Sequence, residues 1–174
     1  IQLIKDEKPA DQLLAYRTKG EYWGKQRAVV VTYTPATARK QNYTFQSKLD
    51  TIRQQLLMMR NKVREKAPHW KKQEAIKERY VRLCERLHVS SVFYTLSFEH
   101  TKDGLSMSFR KDVYRISRKQ AMFGKNIIIT DNTDWTTREI VEASLDRWQV
   151  EDRFRLSKNE DLVGTRPIRH WTDS

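Results

Sequence analysis

The chain has 174 residues and a mass of 20.8 kDa, with 34 Lys and Arg against 22 Asp and Glu, a net charge of +12 and a pI near 9.9. That length can bury a core of its own, and an aromatic content of 10% excludes an intrinsically disordered chain. No stretch approaches the ~20 apolar residues of a membrane span, so no transmembrane helix is expected, and the single Cys84 excludes an intrachain disulfide framework or a zinc finger and suits a reducing compartment.

In chain order, the first 27 residues show no clear hydrophobic period and contain Pro9, Gly20 and Gly24. They are predicted as a loop-rich lead-in with one short helix at 11–16. Charge sits in this opening stretch where a secretory signal would be apolar, so no signal peptide is expected. Residues 27–33 (RAVVVTY) are β-branched and apolar and predict a strand, ended by Thr34-Pro35. The period then changes. Phe45, Leu49, Ile52, Leu56, Met59 and Val63 recur at alternating spacings of four and three, an apolar stripe down a helix of roughly 25 residues. Ala67-Pro68 breaks it, and Ile76, Tyr80, Leu83 and Leu87 mark a second helix. The two predict an antiparallel helical hairpin over about 40–87, with Cys84 and the Met58-Met59 pair as packing residues.

Val92, Tyr94, Leu96 and Phe98 alternate, as do Leu105, Met107 and Phe109, with Asp103-Gly104 between them; this predicts a β-hairpin over 92–110. Residues 111–122 read as a short helix or irregular chain. The run Ile127-Ile128-Ile129 within 125–130 predicts a strand buried on both faces. The last element is a helix from about 136 to 158, its start marked by the capping-box pattern Thr136…Glu139.

Charge is distributed unevenly along these elements. Residues 1–35 carry six basic and four acidic side chains, 36–88 fourteen and five, and 89–174 fourteen and thirteen. The net +9 on the helical hairpin creates a patch potential that suits a polyanion, nucleic acid above all, or else a well-solvated helical surface. Its candidate DNA-backbone contacts are Arg53, Arg60, Lys62, Arg64, Lys71 and Lys72. On the last helix, Ser144, Arg147, Glu151 and Lys158 fall within about a 60° arc, flanked by Ala143, Val150 and Phe154 on one side and Val141, Leu145 and Trp148 on the other. A carboxylate between two bases, on a narrow polar strip facing a cleft, suits phosphate and a divalent cation; an ordinary Arg147–Glu151 pair at i, i+4 fits the same spacing.

The spacing Arg147-x3-Glu151-x6-Lys158 resembles the Y-x2-R-x3-E-x6-K signature of DDE transposases of bacterial insertion sequences, in the family numbered four. Residues 148–158 (WQVEDRFRLSK) look like that family's catalytic-glutamate helix. The segment RPIRHW at 166–171 resembles one of its subgroups, as does the strand-to-helix stretch 31–40 (VTYTPATARK). The resemblance covers most of the chain from about residue 27. It implies that Glu151 is the last acidic member of a metal-binding triad for Mg²⁺ or Mn²⁺, and that Arg147 and Lys158 contact DNA near the transposon end. It also implies a mixed α/β fold. Residues 124–174 would be the C-terminal part of an RNase H-like core (last strand plus glutamate helix), and 28–123 an α+β insertion. Ser144 stands where the signature has Tyr, and no upstream aspartate follows a suitable strand: Asp6 and Asp11 lack one, and Asp131 follows the strand next to the glutamate helix. The chain, which opens on Ile1 and ends soon after His170-Trp171, is therefore expected to be an inactive-alone fragment of a larger enzyme, or a non-catalytic nucleic-acid-binding remnant. The expected partner is DNA, with a homodimer in the full-length protein; the expected location is cytoplasmic and nucleoid-associated, with no membrane.

Overall fold

The computed structural model describes residues 1–5, 12–102 and 104–157, with side chains for all of these except residue 5 and 148–157. In chain order the elements are β1 (Gln2–Lys5), β2 (Leu13–Tyr22), β3 (Lys25–Tyr33), α1 (Pro35–Arg64), α2 (Gln73–Arg86), a 3₁₀ turn (Ser91–Phe93), β4 (Tyr94–Thr101), β5 (Gly104–Lys111), α3 (Val113–Gln120), β6 (Lys125–Thr130) and α4 (Thr137–Ser157). The fold is mixed α/β with two antiparallel sheets, and it divides into two compact units. The first comprises Ile1–Thr34 and Lys125–Ser174, the second Pro35–Gly124.

The first unit is a four-stranded sheet in the order β1-β2-β3-β6. Paired residues share a face, so the register sorts the side chains. Ala15 opposes Thr32, and Val30 opposes both Arg17 and Ile128. On this face Ile4, Leu13, Ala15, Ala28 and Val30 pack with Ile140 and Val141 of α4. β2 and β3 are joined by Trp23-Gly24, both at positive φ (+52° and +71°), the backbone that a two-residue hairpin turn needs to match strand twist. Gly24 adopts it freely; Trp23 does so under strain.

Three expectations are corrected here. Among its described residues the lead-in is not loop with a helix at 11–16 (residue 11 itself lies outside those described): residues 2–5 and 13–22 are strands, because main-chain pairing of β1 to β2 and of β2 to β3 supplies the order that their weak side-chain period does not. The strand expected to open the insertion belongs to the first unit, paired with β2 on one side and β6 on the other. The isoleucine run of β6 is not buried on both faces: Ile128 shares the α4 face with Val30, while Ile127, on the other face, is 55% exposed, and among the described residues β6 pairs only with β3.

The second unit follows its periodicity closely. All six stripe residues of α1, Phe45 to Val63, are buried. They form one core with Ile76, Tyr80, Leu83 and Cys84 of α2, with Tyr94 and Met107 of the β-hairpin, and with Ile116 of α3. Val92 lies in the 3₁₀ turn and is exposed, so the alternation of β4 begins at Tyr94. Polar groups in this core are matched. Tyr80 Oη donates to Ser91 O at 2.6 Å and Tyr94 Oη to Leu49 O at 3.3 Å. Burial raises the Tyr80 and Cys84 pKa values, keeping both groups neutral.

Both long helices of this unit end the same way. Lys66 N–H donates to Val63 O and Ala67 N–H to Lys62 O; His88 N–H donates to Glu85 O and Val89 N–H to Cys84 O. These are Schellman ends, with Lys66 (φ +53°) and His88 (φ +52°) in the left-handed position that favours glycine. Each side chain there costs about 1 kcal/mol of backbone strain.

Truncating a fully buried stripe residue, as in Ile52→Ala, removes packing and leaves a cavity, and should cost about 2–5 kcal/mol in urea unfolding. Cys84 should resist thiol reagents in the native protein and react on unfolding.

Candidate functional site

Two regions carry the chemistry expected from the sequence: α4 in the first unit and the cationic surface of α1 and its following linker in the second.

The start of α4 is held by its own side chains. Thr136 N–H and Oγ1 both donate to Glu139 Oε2 at 2.7 Å, and Glu139 N–H donates back to Thr136 Oγ1 at 3.3 Å. This is the reciprocal capping box, closing two of the amide groups that a helix start leaves open. These bonds lower the Glu139 pKa, the side-chain hydroxyl contributing most. The loop before the cap is clamped from the sheet. Arg17, opposite Val30, donates through its two terminal nitrogens to the carbonyls of Thr133 and Trp135. Arg27, opposite Gly20 and so on the other face, pairs with Asp131, donates to Tyr22 O at 3.1 Å and lies 4.8 Å from the Trp23 ring centre. Asp131, weighed in the sequence as a catalytic carboxylate, is thus a partner of Arg27.

Along α4, Ile140, Ser144, Arg147 and Glu151 fall in one row, within about 60° at 100° per residue. Ile140 is buried, Ser144 half-buried and Arg147 exposed. The side of α4 that packs on the sheet therefore becomes the polar strip as the helix advances. Glu151 lies in the helix roughly 16 Å beyond Ile140 along the axis. Its side chain, and those of Trp148, Val150 and Phe154, are outside those described, as is Lys158 altogether. The expected apolar flanks are modified: Ala143 and Leu145 are exposed, because the described packing uses only Ile140 and Val141. Among the described residues no group of three His, Cys, Asp or Glu is placed to hold a metal ion.

In the second unit all six nominated cations are exposed, but they do not share one face. Arg53, Arg60 and Arg64 lie on one stripe of α1, at spacings of seven and four. Lys62 lies on the other flank of the buried row, with its Nζ 5.7 Å from the Trp70 ring centre. Lys72 immediately precedes α2, and Lys71 joins Arg60 and Arg64 at an open crevice beside β4 and β5. Lys66, Trp70 and His100 were missed in the sequence. The Ala67-Pro68 break was the signal for Lys66 and Trp70, which lie at the end of α1, whereas His100 stands on β4 and is brought there by the hairpin.

No protein-family model, curated protein or solved structure matches this chain.

The capping box gives a pH test. Glu139 has a lowered folded pKa, so its contribution is present above the unfolded carboxylate pKa and lost as pH falls through the lowered folded value. Thr136→Ala should destabilise by about 1 kcal/mol at neutral pH. The stability curves of the two proteins should converge on acidification, as read by urea unfolding across pH.

Proposed function

We propose that this chain is part of a DNA transposase of the DDE type, in which α4 is the catalytic-glutamate helix of an RNase H-like core and the second unit is an insertion that binds DNA. The single observation that supports this reading best is the construction of α4. A helix locked at its start by a capping box and by Arg17 and Arg27 carries Ser144 and Arg147 on the row that begins at the buried Ile140, with Glu151 next in line.

In this reading Arg147 and Lys158 hold DNA phosphates near the element's end, and Ser144 takes the place of a tyrosine that would add a stacking surface. Glu151 contributes one carboxylate toward Mg²⁺ or Mn²⁺. In this reading two further carboxylates come from a longer protein, which carries out cleavage and strand transfer on DNA in the cytoplasm as a homodimer. What this chain contributes is position: the cap and the arginine clamps fix where the polar row begins, so binding energy need not be spent ordering it.

A second reading, a nucleic-acid-binding module without catalysis, is favoured by Ser144 and by the exposed cations of the second unit. The two readings separate in a full-length protein. Glu151→Gln should abolish end cleavage while leaving DNA affinity within a few-fold of wild type. Cleavage at the wild-type rate in that variant would remove Glu151 from the chemistry and leave the binding module.

A further inference from the structure

We infer that the crevice between the C-terminal end of α1 and the β4–β5 hairpin is a phosphate-binding site for the DNA backbone, with Lys66 at its centre. This inference rests on the DNA-binding part of the proposed function and names the residues that carry it.

Two adjoining hollows, of about 330 and 360 Å³, share Val63, Lys66 and Leu105, so Lys66 stands where they meet. Around it are Arg60, Arg64, Lys71, His100 and Ser106; among the described residues no Asp or Glu lines either hollow. Several like charges converging on an apolar floor repel one another unless an anion joins them. Phosphate diesters supply one anionic group per nucleotide at a spacing that an elongated crevice can follow.

The cations are braced rather than free. The Arg60 guanidinium lies 5.8 Å from the Phe109 ring centre. At the adjoining edge Trp70 is flanked by Arg79 at 4.3 Å and Lys62 at 5.7 Å. Aromatic support of this kind lowers the side-chain entropy lost on binding. Lys66 is braced through its backbone: it occupies the left-handed position of the Schellman end, where glycine would be more stable, and that position sets the direction in which it leaves the helix. The same strained position at the end of α2 is taken by His88, which lines neither hollow. The molecule thus contains its own control.

The test compares Lys66→Gly with His88→Gly, using thermal melting and the salt-dependent binding of a fluorescein-labelled DNA duplex. Both variants relieve a left-handed side chain, so both should melt higher than wild type. Only Lys66→Gly should weaken DNA binding, several-fold, and reduce the slope of log K against log salt by about one. A Lys66→Gly protein that binds with wild-type affinity and slope, or that loses no more than His88→Gly, would overturn the crevice while leaving the proposed function standing. Wild-type protein that binds no duplex would overturn both. Intact binding through Lys66 with no Glu151-dependent cleavage would leave the crevice and remove only the enzyme.

Discussion

The pairing of β3 with β6 is the constraint on which the rest of the molecule depends. It joins Val29, Val30 and Val31 to Ile129, Ile128 and Ile127, segments roughly a hundred residues apart, and its last pair is Tyr33 with Lys125. Everything from Pro35 to Gly124 leaves and returns at that one pair. Closing so long a loop carries an entropic cost that grows only slowly with length, provided the intervening chain brings its own ends together. The second unit does so. Gly124 N–H donates to the Gln41 side chain, Gln120 to Asn42, and Phe123 packs edge-on to Phe45. Because the second unit closes on itself, β3 and β6 can pair although they are distant in sequence, and α4 starts from a fixed strand end.

That fixed end is what gives α4 its meaning. A polar row on a helix is ordinary until something determines where the row faces. Here the direction comes from two arginines reaching around the sheet from opposite faces and from the reciprocal bonds of Thr136 and Glu139. Arg27 is held by three partners at once: Asp131, the Tyr22 carbonyl and the Trp23 ring. The strained turn at Trp23-Gly24 thereby supports the loop that leads into the helix.

The charge of the second unit follows a different logic. The helical unit is stabilised by a continuous apolar stripe, which leaves its outer surface free to be cationic at little cost in stability. The positions that stand out are those where the chain accepts strain. Lys66 and His88 occupy equivalent helix ends, yet only Lys66 meets other cations at a crevice.

Much of the second unit was legible in the sequence because its elements are defined by local periodicity. The stripe from Phe45 to Val63, the core role of Cys84 and the alternation of Tyr94, Leu96 and Phe98 follow from spacing alone, as does the capping box of α4. The first unit was less legible because a strand is made by its neighbour. Residues 13–22 (LLAYRTKGEY) have little period of their own and become β2 only when β3 lies alongside. By the same reasoning Ile127 looked like a core residue and is 55% exposed, since side-chain composition does not reveal whether both faces of a strand are covered. The cationic cluster divides in this way too: its charge was countable, but which cations converge was decided by the turn at Lys66 and the hairpin packed beside it. Local chemistry thus determined the helices, the caps and the charge. Pairing between distant segments, which no local window contains, decided the sheet, the orientation of α4 and the shape of the crevice.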